Sequence, residues 1–541
     1  MLIPAFIFHV YRNRAPRAVL AASAIILFAC ALPARAEDDA YVVRTTAGLV
    51  RGVAWHGNGA QFLGIPYAEP PVGPLRWRAP VPKRPWAGVY DTASFGTSCA
   101  QPDLGGWNSH DAKTGQEDCL YLNVITPVWP AGKLLPVMFW IHGGANEGGS
   151  GSGSLYNDGT LIEHGVVLVT INYRLGIFGF FAHTELTRES PHHASGDYGL
   201  MDQILALQWV HDNIGRFGGD PGNVTVFGQS AGSMDTGILM TSPLARGLFQ
   251  KAIAESGAPL FPPPTPLDQA EQAGQQFAAA FAIPGGKDPI DFLRQVPAQD
   301  LVTRASKSEW GHAPVAPDID GFVLPGSPAE VFKSGKEAPI PLLLGTTSRE
   351  FGSSQSPDDL RKTIENSTGQ YAPQALALYG LADGGQGLSD PLYGSAASQW
   401  QADNQFHCPI TTEALWHMAA HHPTYEYELD HAIPGQEAQG AVHSSDLPYV
   451  FGYFPKSGNI SGNFGEIDRN LAELIESYWT NFAKTGDPNS PDLPHWPELD
   501  SAQRYLIFTE DGHAVVSAEP LRRPQCDLYR KVLAVRIKQG R

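Results

Sequence analysis

The sequence predicts an α/β fold: a mostly parallel central sheet flanked by helices. Three observations carry that prediction. Apolar runs such as Val137-Met138-Phe139-Trp140-Ile141 and Val166-Val167-Leu168-Val169 are continuous rather than alternating, which suits strands buried on both faces. Helical stripes lie between such runs. One run, Val224-Thr225-Val226-Phe227, leads straight into Gly228-Gln229-Ser230-Ala231-Gly232 and then a helical pattern.

Leu342-Leu343-Leu344 and Tyr425–Leu429 read as further buried strands. Asp202 to Ile214 carries Ile204, Leu205, Leu207, Trp209 and Ile214 at helical spacing. A cleaner stripe has Leu471, Leu474, Ile475, Tyr478, Trp479 and Phe482, stopped by Gly486-Asp487-Pro488. Ser233 to Met240 reads as the helix after the glycine-flanked serine. These stripes are packing faces. No internal repeat is visible, and large α/β folds often run this long as one unit. A single domain over 37–541 is therefore expected. Two stretches differ in composition. One is Ala-, Gln- and Pro-rich from Phe261 to about Pro339, and one is Gly- and Ser-rich over 353–405. They read as insertions that roof a site at the strand C-termini, or as plain surface excursions.

The N-terminus reads as a targeting segment. Arg12, Arg14 and Arg17 precede an apolar run from Ala18 to Leu32, closed by Ala34-Arg35-Ala36. That pattern is a secretory signal peptide over residues 1–36, and the run is too short for a stable membrane span. A periplasmic or secreted location follows. Leu27-Phe28-Ala29-Cys30 has the spacing of a lipoprotein box, but Phe28 is a poor residue there, which argues against anchoring at Cys30. Removing the four Arg of this segment from the 37 basic residues leaves 33 against 55 acidic ones, a net charge of −22. Nucleic-acid binding needs the opposite field.

Four of the five Cys remain after cleavage: Cys99, Cys119, Cys408 and Cys526. An even count in an exported chain suggests two disulfides, with three pairings open. No Cys-x-x-Cys occurs, which argues against a structural zinc site. The adjacent pairs His192-His193 and His421-His422 read as solvent-facing. Asn223, Asn366 and Asn459 open Asn-x-Ser/Thr patterns, the first at the mouth of a buried strand.

Ser230 is the candidate for chemistry. A strand that ends in Gly-x-Ser-x-Gly and opens a helix forces the Ser into a tight turn, exposes its hydroxyl, and aims backbone N–H groups at developing negative charge. The bland reading is a Gly-flanked Ser capping a helix.

Several blocks bear a family likeness. They are Phe62-Leu63-Gly64-Ile65-Pro66-Tyr67-Ala68-Glu69-Pro70-Pro71, Glu117-Asp118-Cys119-Leu120-Tyr121-Leu122-Asn123-Val124, Asn172-Tyr173-Arg174, Phe217-Gly218-Gly219-Asp220-Pro221, and the Ser230 block. In this order they resemble the type-B carboxylesterase/lipase family, the cholinesterase-like branch of the α/β-hydrolases. The resemblance implies an α/β-hydrolase fold and a triad in the order Ser, Glu, His. Gly345-Thr346-Thr347-Ser348-Arg349-Glu350 matches the acid block, and Gly440-Ala441-Val442-His443 the base block. Phe351 stands where the family usually has Gly. A Ser hydroxyl needs a base to take its proton, and imidazole has the right pKa; Glu350 would fix the His443 tautomer and stabilise its cation.

The run His142-Gly143-Gly144-Ala145 matches the family's oxyanion loop. The resemblance implies N–H donors from Gly144 and Ala145 beside Gly143, joined by Ala231. Asn146 then stands where an aromatic is common, which predicts a polar acyl side to the substrate, hydrogen-bonded by Asn146. Trp107 is a candidate pocket wall, and Ser256 matches a supporting Ser near the base. The resemblance also pairs Cys99 with Cys119 and Cys408 with Cys526. It implies an exported serine carboxylic-ester hydrolase acting on a small-molecule ester, with no metal and no organic cofactor. Two alternatives are a non-catalytic adhesion or binding relative, and amide or carbamate hydrolysis on the same triad.

Overall fold

In the computed structural model, residues 40–307 and 316–539 are described. The signal segment 1–36 and Cys30 fall outside them. Eleven strands make one sheet. In chain order they are β1 (Val53–Trp55), β2 (Gly59–Pro66), β3 (Tyr121–Thr126), β4 (Leu135–Ile141), β5 (Val167–Ile171), β6 (Gly219–Gln229), β7 (Lys251–Glu255), β8 (Leu342–Thr347), β9 (Thr424–Leu429), β10 (Leu506–Phe508) and β11 (Ala514–Val516). The spatial order is β11-β10-β9-β8-β7-β6-β4-β5-β3-β2-β1. Every pairing from β10 across to β5 is parallel, while β1, β2, β3 and β11 pair antiparallel at the two margins. The expected strands are all present.

Alternation along β4 shows why its sequence is apolar throughout. Val137, Phe139 and Ile141 point into one cluster with Leu207, Val210 and Ile238. Met138 and Trp140 point into the other, with Leu471, Ile475 and Trp479. Each such fully buried side chain contributes about 1.5–3 kcal/mol. The helices on the two faces are those the stripes predict: α1 (Tyr198–Asn213) and α2 (Ala231–Thr241) on one, and α4 (Glu466–Thr485) on the other, with α3 (Cys408–Ala419) also on the first side. Gly486 closes α4 with a left-handed φ of 84°, which glycine adopts without strain.

The first insertion packs through Phe277, Ile290, Leu293, Leu301 and Val302 onto Trp77, Ile177, Phe178 and Phe181. The second folds as short helices around Leu360, Ile364, Tyr379 and Trp400. Its end leads into Phe406, whose ring reaches His443 at 4.9 Å. From Tyr41 onward the described residues form one compact unit. Among them, no helix is long and apolar enough to cross a membrane.

Both pairings implied by the resemblance form: Cys99–Cys119 and Cys408–Cys526. They fit an oxidising compartment. Their separations are 20 and 118 residues, so loop-closure entropy assigns them about 3 and about 5 kcal/mol. Cys408→Ser/Cys526→Ser is therefore expected to lower the denaturation midpoint more than Cys99→Ser/Cys119→Ser. Thermal melts of the two double variants check this, and the reverse ranking would count against the loop-length account.

Candidate active site

The sheet brings four chain segments together at the C-terminal ends of its parallel strands. β6 delivers Ser230, β8 delivers Glu350, β4 delivers the glycine loop at 143–145, and the segment after β9 delivers His443.

Ser230 sits at φ 58°, ψ −123°, a strained conformation for a residue with a Cβ. The turn closes only because its flanks are bare. A Cβ on Gly228 would lie 2.5 Å from the Gly232 carbonyl carbon, and one on Gly232 would lie 2.0 Å from the Ile141 oxygen. The Ser230 N–H donates to the Glu255 carbonyl at 2.8 Å, which ties the turn to β7. The Ser230 side chain makes no hydrogen bond among the described residues, and α2 begins with the next residue, Ala231.

His443 Nδ1 donates to Glu350 Oε2 at 2.5 Å. The backbone repeats the link: the His443 N–H donates to the Glu350 carbonyl at 3.1 Å. Glu350 Oε1 accepts from the Ser256 hydroxyl at 2.7 Å and from the Thr347 N–H at 2.9 Å. Ser256, expected near the base, is thus bonded to the acid. Burial pushes the Glu350 carboxyl up, but the His443 charge, its hydrogen bond and the Ser256 hydroxyl outweigh burial. The Glu350 pKa therefore lies below its ordinary value.

The other imidazole nitrogen, His443 Nε2, lies 3.2 Å from Gln229 Nε2. With its proton on Nδ1, Nε2 accepts from the Gln229 amide. Gln229 precedes Ser230 directly, so this contact ties the imidazole to the residue next to the serine. The rings of Phe351 and Phe406 lie 4.3 and 4.9 Å from the His443 ring. Phe351, a departure from the family pattern in sequence, is an exposed aromatic wall against the imidazole.

The glycine loop lies against Ser230: a Cβ on Gly143 would be 3.0 Å from the Ser230 Cβ. Gly144 has φ 110°, and a Cβ there would strike the Gly148 oxygen at 2.1 Å. Ala145 and Asn146 follow with φ 57° and 58°. Among the described residues, the N–H groups of Gly144, Ala145 and Ala231 donate to no protein acceptor. The Trp107 ring ends 3.0 Å from the Gly144 Cβ position and is half exposed, so it walls this loop.

Asn146 does not line the pocket, which corrects the sequence expectation. Its left-handed backbone turns the side chain inward, where it is 3% exposed. Its amide donates to Asp235 Oδ1 at 2.9 Å, and its carbonyl oxygen lies 3.0 Å from the Tyr173 hydroxyl. The same hydroxyl donates to the His142 carbonyl at 2.9 Å. Asn146 therefore braces the glycine loop from behind. Burial pushes Asp235 up to about 7, with the Asn146 and Gln203 amides pulling it back. His142 is pushed down to about 4 by burial and stays neutral against Gly143.

Two buried acids behind the cluster carry no signal in the sequence. Glu255 is held well above the usual carboxylate range by burial and by Asp446, although Trp479 donates to it at 2.7 Å. Asp446 is pushed up to about 6 by burial and by Glu350. Only the fold brings β7 and the segment after His443 together. A cavity bounded by Arg76, Trp77, Cys99, Glu117, Arg174 and Phe178 holds none of these groups.

A largely parallel sheet whose strand β6 ends in a serine turn is the architecture of the α/β-hydrolases. Residues 39–528 match the model of the carboxylesterase family, and the chain belongs to that family. It is a carboxylic ester hydrolase. A fumonisin B1 esterase of Sphingopyxis macrogoltabida is 36% identical over 512 residues, covering 92% of this chain and 91% of the relative. A para-nitrobenzyl esterase of Bacillus subtilis (strain 168) is 36% identical over 496 residues, covering 88% of this chain and 96% of that one. A solved PNB esterase structure superposes with a TM-score of 0.78 at 34% identity, over 91% of this chain and 99% of that chain.

Proposed function

We propose that the chain is an exported serine carboxylesterase that works through an acyl-enzyme on Ser230. The observation that carries the reading is the Glu350–His443 hydrogen bond set beside a strained serine turn. Ser230 Oγ attacks the ester carbonyl carbon while His443 Nε2 takes its proton. The Gln229 amide yields this nitrogen as Oγ engages. The tetrahedral oxyanion lies against the N–H groups of Gly144, Ala145 and Ala231, whose removal one at a time costs about 10²–10³ in rate in other hydrolases. His443 then protonates the departing alcohol, and water activated by the same imidazole releases the acid. Glu350 stays ionised throughout and balances the imidazolium.

With Asn146 turned inward, no side chain of the oxyanion loop supports a polar acyl preference. The exposed rings of Phe351 and Trp107 favour substrates with apolar surface beside the ester. Two disulfides support an oxidising location, periplasmic or secreted.

The test uses rapid mixing with p-nitrophenyl acetate, followed by mass mapping after a fluorophosphonate. The expected result is a burst of about one p-nitrophenolate per chain and a single adduct on the Ser230 peptide. An adduct elsewhere, or none with turnover intact, overturns the acyl-enzyme reading. A matched p-nitroanilide should turn over far more slowly; equal turnover would favour the amidase alternative.

A further inference from the structure

We propose a second site, a binding site for a divalent ion of the zinc type, formed by Glu337, His417 and His422 at the opposite end of the sheet from Ser230. Helix α3 ends at Ala419, and His421 at φ 64° reverses the chain so that His422 returns over the last turn. The His422 N–H donates to the His417 carbonyl at 3.3 Å. Glu337 arrives from the turn before β8, where Gly335 packs on Ala420. These residues flank the N-terminal ends of β8 and β9, whereas Glu350 follows the C-terminal end of β8. A six-residue strand separates the two sites by about 20 Å.

Three ligand-type atoms converge here. His417 Nδ1 lies 2.9 Å from Glu337 Oε1, His422 Nδ1 lies 3.4 Å from Glu337 Oε1, and the two Nδ1 atoms are 3.4 Å apart. Zinc bonds of about 2.0–2.2 Å in a tetrahedron set ligand atoms about 3.4 Å apart; two edges of this triangle have that length, and the third, at the hydrogen-bond distance of 2.9 Å, opens by about 0.5 Å when an ion enters. The protonation pattern agrees. His417 Nε2 donates to the Ile340 carbonyl at 2.8 Å, so an ion that displaced the proton between Nδ1 and Glu337 Oε1 would meet the Nδ1 lone pair. A ring N–H held by a carbonyl is the usual support of a metal-binding His. A single proton can join only two of the three acceptors, whereas a cation satisfies all of them.

The buried carboxylates beside the cluster are unsatisfied. Glu337 Oε2 is buried with no hydrogen-bond partner, and so are both oxygens of Glu413, one turn before His417 on α3. The end of α3 adds its own partial negative charge. His422 is partly open to solvent, with 16% of its side chain exposed, which leaves an entry route and room for water as a further ligand. Two imidazoles and one carboxylate suit zinc over magnesium or calcium, which take oxygen ligands. The ion would pin α3 and the turn before β8 together and take no part in ester hydrolysis. The sequence argument against zinc takes both Cys-x-x-Cys and His-x-x-x-His to be absent, but His417-Met418-Ala419-Ala420-His421 has the second spacing; of the pair His421-His422, read as solvent-facing, His422 is the member that turns inward.

The test uses the full chain stripped with EDTA, then titrated with ZnCl2, with bound metal measured by mass spectrometry and stability by thermal melt. The expected result is one zinc per chain, a raised Tm, and no response to MgCl2. Losing an outer hydrogen-bond partner of a ligand costs about 10–100-fold in affinity, so His422→Ala should weaken binding by at least about tenfold and abolish the Tm rise. Its zinc-free Tm and its esterase activity should match wild type. His421→Asn, at the exposed neighbour, should bind as wild type does. Absence of stoichiometric zinc in wild type overturns the site, as does His422→Ala binding within about tenfold of wild type.

Discussion

Ser230→Ala should lose ester turnover by about 10⁴–10⁶-fold while its Tm stays close to wild type. The loss is large because, in the proposed mechanism, the residue supplies the atom that bonds to the acyl carbon. It is not total, because the loop at Gly143, Gly144 and Ala145 can still polarise a carbonyl for attack by water. Stability should change little, since the Ser230 hydroxyl makes no hydrogen bond among the described residues and Ala keeps the same strained backbone. Residues that act as one relay are not additive. His443→Ala should therefore be about as slow as Ser230→Ala, and the double variant no slower than either. Steady-state kcat on p-nitrophenyl acetate for the three variants, with melts beside them, checks this. A Ser230→Ala rate within about tenfold of wild type would remove Ser230 from the chemistry, and multiplying losses in the double variant would mean that the two residues act in separate steps.

The central strands were legible because burial on both faces leaves continuous apolar runs, as Val137–Ile141 shows. The boundaries were less so. β6 begins at Gly219, not Val224, because Gly219 pairs with Leu135 across a register shift, and Gly219-Asp220-Pro221-Gly222 looks like a turn in isolation. The margins β1, β10 and β11 are three residues each, too short to show a period. At the site, the positions of Ser230, Glu350 and His443 were legible through their flanking blocks. What those blocks do not encode is where a neighbouring side chain points. Asn146 was misplaced because left-handed backbone at Ala145 and Asn146 rotates its amide into the core. Ser256 lies near the base as its block suggests, and what the block does not encode is that its hydroxyl reaches His443 through the Glu350 carboxylate. Glu255 and Asp446, far apart in the chain, become neighbours only through the pairing of β7 with β8 and the return of the chain after β9.

Glu350→Gln should lower kcat by about 10⁴-fold with little change in fold, and the hydrogen bonds around the carboxylate explain why. Glu350 Oε1 accepts from two donors, the Thr347 N–H and the Ser256 hydroxyl. A glutamine must place its carbonyl oxygen there, so its NH2 takes the place of Oε2 and faces His443 Nδ1. A donor at that position demands a bare Nδ1, and the ring proton moves to Nε2. That nitrogen then cannot take the Ser230 proton. Glu350→Asp, which keeps the acceptor, should retain far more activity. The stability consequence has a defined pH sign. The folded carboxyl has a depressed pKa, so its contribution is fully present above the unfolded value of about 4.3 and fades as pH falls through the lower folded value. The Tm gap between wild type and Glu350→Gln should accordingly be widest near neutrality and close on acidification below that range. A gap that widens in acid would show that Glu350 is held protonated. A Glu350→Gln enzyme with near-normal kcat would show that the His443 tautomer is fixed by some other group.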